Sequence, residues 1–139
     1  MAVSRKFVPK FPLAQIQAHP LAELCDMRLL QSIHTLYSSL PPSTMQQVAV
    51  ALSGGVDSAA LALHMAVWTK ALSLPLHCFH VHHGLQDVAD QWSTHVQTLA
   101  HHLGASIHIE RVRVDLLSGT GIEAAARDAR YLAFQALCQ

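Results

Sequence analysis

The segment that decides the fold is VAVALSGGVDSAALAL, residues 48–63. Its first five residues form a continuous apolar run rich in β-branched side chains, which is typical of a buried parallel strand. The run ends at Ser53-Gly54-Gly55, and the residues from Asp57 onward are apolar around most of a helical circumference. A strand, a tight glycine turn and a largely covered helix are therefore predicted in direct succession.

The remainder of the chain continues this alternation of short apolar strands and longer amphipathic helices. Because parallel strands need crossover helices between them, the pattern predicts an α/β fold in which helices flank a parallel sheet. Further strands are predicted at 76–82 and 106–114. Further helices are predicted at 26–40, at 57–70, at 87–103 between an Asp87 cap and a Gly104 stop, and from a Thr120–Glu123 capping box to the end of the chain.

The first 25 residues differ from the rest in composition. Pro9, Pro12 and Pro20 stand there among scattered apolar side chains, which predicts an irregular N-terminal lead-in over residues 1–25. Residues 26–139 are then predicted to form one partial α/β domain.

The bulk composition excludes several classes of protein. With 51% apolar and 13% charged residues the chain is globular, and its apolar runs are too short to span a bilayer. The chain has an odd number of cysteines, and they are far apart: Cys25, Cys78 and Cys138. This pattern favours a reducing, cytoplasmic compartment over a disulfide framework. A formal net charge of zero predicts that this segment by itself holds RNA poorly.

The loop from Ser53 to Ser58 has the features of a phosphate-binding site. Its two glycines let the main chain approach a ligand, and the following helix offers unpaired N–H groups and the positive end of its dipole. The loop is neither a Walker A motif nor a GxGxxG fingerprint, because the residues that define those motifs are absent. Asp57 at an anion site indicates a divalent cation such as Mg²⁺. A tight turn without a ligand is the alternative, which this combination of residues disfavours.

The motif Ser-Gly-Gly-x-Asp-Ser after a strand resembles the loop of the PP-loop ATP pyrophosphatase family. Two further segments are similar to tRNA isoleucine lysidine synthetases: His80 to Leu85 at the end of the second strand, and Gly121 to Tyr131, which resembles their Gly-Ile-Glu-x-x-Ala-Arg-x-x-Arg-Tyr helix. The resemblance extends from about Val48 to Phe134. It implies a Rossmann-like adenine nucleotide alpha-hydrolase fold that is incomplete at its C-terminus.

The resemblance also implies a reaction. An ATP-dependent ligase of this kind adenylates the C2 carbonyl oxygen of the wobble cytidine of an isoleucine tRNA. The ε-amine of free lysine then attacks C2, so that lysidine forms and AMP and pyrophosphate are released. ATP and Mg²⁺ are the implied cofactors, and isoleucine tRNA and lysine are the implied partners.

Site residues follow from the same resemblance. The main-chain N–H groups of Gly54, Gly55 and Val56, with the hydroxyls of Ser53 and Ser58, are expected to hold the β and γ phosphates, and Asp57 is expected to place Mg²⁺. Arg127 or Arg130 is expected to face the charge that develops at the α-phosphate or the cytidine. The ribose and adenine are expected to lie near His80, His82 and His83.

Several of these residues have plainer interpretations. Arg127 lies four residues after Glu123, so the two could form an ordinary ion pair on a helix surface. The strand histidines could suggest a metal site, which the lack of a completing cysteine or carboxylate disfavours. Away from the site, the spacing predicts core positions for Trp68 and Trp92, and surface or groove positions for His64, His101 and His102.

Two functional alternatives remain open. One is another PP-loop synthetase or a tRNA thiolase, although a thiolase usually has paired cysteines. The other is a nucleotide-binding module without catalysis. The resemblance further leads us to expect a fourth strand and a His-x-x-Asp-Asp-x-x-Glu-Thr segment that the sequence does not contain. Without that strand, residues 48–52 are expected at an exposed sheet edge, and the chain alone is expected to self-associate and to bind ATP weakly.

Overall fold

The computed structural model describes residues 10–41, 47–82, 89–112 and 121–139. Within these ranges the predicted order of strands and helices is confirmed. The helices are α1 (Leu13–Gln17), α2 (Met27–Ser39), α3 (Val56–Ala71), α4 (Ala89–His102) and α5 (Ile122–Leu137), with a 3-10 turn at Ala22–Leu24; the strands are β1 (Val48–Ala51), β2 (Leu76–His82) and β3 (Ser106–Arg111).

The three strands form a parallel sheet in the order β1-β2-β3. Cys78 at the centre of β2 lies between Val50 of β1 and Ile107 of β3. Among the described residues β1 pairs with β2 alone, so β1 lies at the predicted edge, with Ala49 and Ala51 exposed. Because all strands run in one direction, the carboxyl ends of β1 and β2 meet at the same end of the sheet.

The main core lies between one face of this sheet and helices α3 and α4. Small side chains on both helices allow a close approach to the strands. The apolar surface that this packing removes from water stabilises the fold by about 25 cal/mol per Å². The buried members of this core are Val50, Leu52, Ala62, Ala66, Leu76, Cys78, Val96 and Ala100. Helix α5 also contacts β2.

The predicted irregular lead-in is wrong for residues 10–25. Helix α1 occupies part of it, and Ile16 is fully buried against Leu30, Val67 and Trp68 in a second core cluster. A helix of five residues is too short to show a periodic pattern and is held by the burial of one side chain, not by propensity. Residues 1–9 lie outside the described residues.

Helix α2 begins with a side-chain cap that the sequence indicated only as a boundary. The Asp26 carboxylate accepts hydrogen bonds from the N–H groups of Arg28 at 2.7 Å and Leu29 at 3.3 Å. The Asp26 N–H donates to Nε2 of His64 at 2.8 Å, while His64 Nδ1 lies 2.7 Å from the Ala60 carbonyl oxygen. His64, for which a surface or groove position was predicted, is buried where the start of α2 meets α3.

Two predicted helix starts lie at or beyond the limits of the described residues. The N-cap of α5 is Gly121, with a φ of 89°, so the prediction of a Thr120 cap is wrong in position. Asp87, Thr120 and the side chain of Glu123 lie outside the described residues. None of the described helices has the length and apolarity needed to cross a bilayer.

Replacing Asp26 with alanine is expected to lower the free energy of unfolding by about 1 kcal/mol, because two N–H groups of α2 lose their acceptor. Urea denaturation followed by circular dichroism measures the change. Asp26→Asn is the matched control, since asparagine caps helices about as well as aspartate. Equal destabilisation by both substitutions would show that the carboxylate charge, and not the cap, is what matters.

Candidate nucleotide site

The loop between β1 and α3 turns where its glycines allow it. Leu52 extends the strand by one further bond, its N–H donating to the Phe79 carbonyl oxygen at 2.8 Å. Gly54 then adopts a φ of 96°, a region that side chains with a Cβ rarely enter. Gly55 is extended and forms the N-cap of α3. The predicted succession of strand, glycine turn and helix is thus confirmed.

The two serines of the loop bond to each other and to the loop backbone. The Ser53 N–H donates to Ser58 Oγ at 3.1 Å, and the two hydroxyl oxygens lie 3.0 Å apart. Ser53 Oγ accepts the Gly55 N–H at 3.2 Å, and Ser58 Oγ donates to the Gly55 carbonyl at 3.2 Å. These bonds hold the loop in one conformation, a function that the sequence alone did not suggest for the hydroxyls.

The hydrogen bonds of the two serines leave main-chain N–H donors at the start of α3 for a ligand. The helical ladder begins with the Ala59 N–H, which donates to the Gly55 carbonyl at 3.2 Å. In the described part of the chain, the N–H groups of Gly54, Val56, Asp57 and Ser58 have no hydrogen-bond partner. Unpaired N–H groups at the positive end of a helix dipole form an anion site.

The loop opens onto a cavity of about 750 Å³ at the carboxyl end of the sheet, a volume that suits a small-molecule ligand. The cavity brings together predicted site residues from distant parts of the sequence, such as Ser53 and Arg130. The lining residues are Ala51, Leu52, Ser53, Gly54, Gly55, His80, Val81, His82, Trp92, Arg127, Arg130, Tyr131 and Phe134. Val56, Asp57 and Ser58 are not among them.

His80 is held as a neutral acceptor in the wall of this cavity. Its ring is buried, and Nδ1 lies 2.6 Å from the Leu52 carbonyl oxygen, so Nδ1 carries the proton. Burial lowers the pKa of His80 below its usual value; the hydrogen bond to Leu52 opposes this shift, and the nearby His82 adds to it. The ring therefore stays uncharged near neutral pH, with Nε2 free of a proton.

His82, two residues further along β2, is bonded instead to a carboxylate. Its Nε2 lies 2.7 Å from Oδ1 of Asp90 in the first turn of α4, and Arg111 Nη2 is 3.6 Å from the same oxygen. His83 lies outside the described residues. The described residues contain no group of three or more His, Cys, Asp or Glu side chains arranged to hold a metal ion.

Helix α5 supplies the opposite wall of the cavity. Arg127 is exposed and Arg130 half-buried, and Tyr131 and Phe134 line the cavity with them. Neither aromatic residue was assigned a role in the site from the sequence, although Tyr131 ends the motif quoted for this helix; the spacing of Tyr131 and Phe134 from the arginines places all four on one helical face. The alternative ion pair of Arg127 with Glu123 involves a side chain outside the described residues.

The position of Trp92 differs most clearly from the one predicted from the sequence. It was predicted to lie in the core, but its side chain is 38% exposed and lines the cavity. Its Cβ and Cγ lie 3.5 Å from the position that a Cβ on Gly54 would occupy. Val96, one turn later on the same face of α4, is fully buried. The face is thus apolar as predicted, but in its first turn Trp92 lies beside Gly54 of the loop and lines the cavity.

Comparisons with known proteins agree with this geometry. Three curated relatives are tRNA(Ile)-lysidine synthases: from Ralstonia nicotianae, 50% identical over 93 residues (66% of this chain, 20% of the relative); from Bordetella bronchiseptica, 42% over 126 residues (88% and 35%); and from Pseudomonas aeruginosa, 50% over 88 residues (63% and 20%). The chain thus spans between a fifth and about a third of the length of these relatives. A family model described as a PP-loop domain matches residues 25–139, and the chain therefore belongs to the PP-loop domain family.

Proposed function

We propose that the protein is an ATP-dependent ligase that adenylates the C2 carbonyl oxygen of the wobble cytidine of an isoleucine tRNA and joins lysine there. One observation supports this proposal: the loop between β1 and α3 opens onto a cavity that Arg127 and Arg130 also line. The similarity to tRNA(Ile)-lysidine synthases supports the choice of substrates. Such a reaction on tRNA belongs in the cytoplasm.

In this proposal the main-chain N–H groups at the start of α3 bind the pyrophosphate part of ATP. Gly54, Val56 and Asp57 offer donors that cost no reorganisation, because the serine hydrogen bonds already fix the loop. The hydroxyls of Ser53 and Ser58 keep the donors in place, and either one would have to release its hydrogen bond within the loop to donate to a phosphate oxygen. The ribose and adenine then extend along the carboxyl end of β2, towards His80 and His82.

Asp57 is the residue that would hold Mg²⁺. Mg²⁺ is usually bound by one or two carboxylates together with substrate phosphates, and Asp57 presents an exposed carboxylate in the first turn of α3, beside the loop. The donor set therefore fits this ion. When bound, the ion would neutralise charge on the phosphates.

The arginines of α5 would act at the other end of the triphosphate. A guanidinium binds phosphate oxygens with two parallel N–H groups and stays charged throughout. Arg127 or Arg130 can therefore stabilise the negative charge that moves onto the α-phosphate or the cytidine during adenylation. Their placement on a helix, across the cavity from the loop, keeps them apart from the β and γ phosphates.

The cysteines favour ligation over sulfur transfer. A sulfur-transfer enzyme needs an accessible thiolate, whereas burial raises the pKa of both Cys25 and Cys78 above the ordinary value. Cys138 is exposed but lies at the end of α5 and does not line the cavity.

Replacing Asp57 with asparagine is expected to lower lysine incorporation into isoleucine tRNA by roughly ten- to a hundredfold, because the metal loses a charged ligand. Labelled lysine retained on the tRNA measures the rate. Asp128→Asn is the control, since Asp128 is exposed on α5 and does not line the cavity. Turnover that needs no lysine, or full activity of Asp57→Asn, would refute the proposal.

A further inference from the structure

The hydrogen bond between His82 and Asp90 is the one carboxylate–imidazole contact in the described part of the cavity. The His82 ring is only 8% exposed, whereas the Asp90 side chain is 77% exposed. Nη2 of Arg111 lies 3.6 Å from the same carboxylate oxygen, on the solvent side of Asp90. A solvent-facing carboxylate thus holds a buried imidazole in the cavity wall.

The position of the carboxylate decides which nitrogen of His82 can react. An ionised carboxylate only accepts hydrogen bonds, so Nε2 of His82 must carry the proton in this 2.7 Å contact. In the neutral ring, Nδ1 then has a free lone pair. No hydrogen bond to Nδ1 of His82 is formed within the described residues, and the ring lines the cavity. Nδ1 is therefore the nitrogen available to a ligand.

His80 is the contrasting case. Its Nδ1 bonds to a neutral carbonyl oxygen, and the ring would become an uncompensated charge if it gained a proton in its buried position. His82 has a carboxylate opposite the nitrogen that would accept a proton, so the positive charge of the protonated ring is matched by Asp90. Of the two histidines, His82 is better suited to accept a proton and His80 to accept only a hydrogen bond.

We propose that His82 is the general base of the step in which lysine attacks the activated cytidine, and that Asp90 is its positioning residue. This inference rests on the proposed function. As the ε-nitrogen of lysine, in its free amine form, bonds to C2, the C2–O bond to AMP breaks and its electron pair leaves with AMP. The nitrogen gives up one proton, which Nδ1 of His82 accepts.

The competing explanation is purely structural. Asp90 follows β2 closely in sequence, so its bond to His82 could simply tie the start of α4 to the end of β2. A tie of that kind would affect both chemical steps alike, because the loop and α5 meet the same cavity. Loss of a general base for lysine would slow the second step by a larger factor than the first.

The experiment measures the two steps separately, with isoleucine tRNA, in the full-length protein. Pyrophosphate release without lysine reports adenylation, and lysine-dependent release of AMP reports ligation. His82→Gln is expected to slow ligation about a hundredfold and Asp90→Asn about tenfold, in each case by a larger factor than adenylation, which His82 can also affect through its position beside the nucleotide. Glu110→Gln on β3 is the control, since this exposed carboxylate does not line the cavity.

Imidazole added to His82→Ala is expected to restore part of the ligation rate, a result that a structural tie would not give. Because Asp90 is exposed, Asp90→Asn remains informative if a substitution of His82 prevents folding. Equal loss in both steps, unchanged ligation, or ligation in His82→Ala that imidazole does not restore would overturn the inference. Absence of tRNA-dependent pyrophosphate release from the unsubstituted protein would instead refute the proposed function.

Discussion

Replacement of Trp68 with alanine is expected to lower the free energy of unfolding by about 3–5 kcal/mol. The indole is 1% exposed and packs with Ile16, Leu30 and Val67 where α1 and α2 meet α3. Its Nε1–H also donates to Nδ1 of His34 at 3.2 Å. Truncation therefore leaves a large cavity and removes this hydrogen bond. A loss of this size is a large part of a typical domain's stability of about 5–15 kcal/mol, so the urea midpoint should fall steeply.

Urea denaturation followed by far-ultraviolet circular dichroism measures this loss, with two control variants. Trp68→Phe keeps most of the packing and should cost about 1–2 kcal/mol, mainly for the missing hydrogen bond. Trp92→Ala removes the same side chain from an exposed position and should cost less than about 1 kcal/mol. If the alanine variants at the two positions were equally stable, the burial assigned to Trp68 would be wrong.

The two tryptophans show how far a periodic pattern can be taken. Each occupies an apolar helical face, so the sequence predicts a buried position for both. What separates them is where each helix lies along the strands: Trp68 is near the end of α3 and Trp92 is in the first turn of α4, beside the loop. That placement depends on the packing of the helix against the sheet, which no local pattern contains. The strand β2, fixed by its own apolar run, was predicted with its observed bounds.

The candidate site likewise has parts that the sequence predicts and parts that it does not. The loop could be predicted because its glycines, serines and aspartate are contiguous and lie between a strand and a helix. The dyad of His82 and Asp90 could not, because it depends on how the start of α4 folds back towards β2. The buried position of His64 was equally hidden, since its partner is the main-chain N–H of Asp26, the residue just before α2.

Gly54→Ala is expected to weaken ATP binding by at least about a hundredfold, or roughly 3 kcal/mol, while the fold remains. A Cβ at a φ of 96° is strained, and it would also touch the Trp92 side chain at 3.5 Å. The strain is relieved only if the loop changes conformation. Such a change would turn the Gly54 N–H away from the phosphates and break the hydrogen bonds between Ser53 and Ser58.

Equilibrium binding of ATP, measured by calorimetry alongside a thermal melt, tests this expectation against a control with similar backbone strain. Gly104 has a φ of 69° and no atom within 4 Å of an added Cβ, and it lies just after α4, away from the loop. Gly104→Ala should therefore lower stability by about 1–2 kcal/mol and leave ATP affinity unchanged. If both variants lost affinity equally, global destabilisation would explain the effect. If Gly54→Ala bound ATP as tightly as the unsubstituted protein, the triphosphate would have to bind somewhere other than this loop.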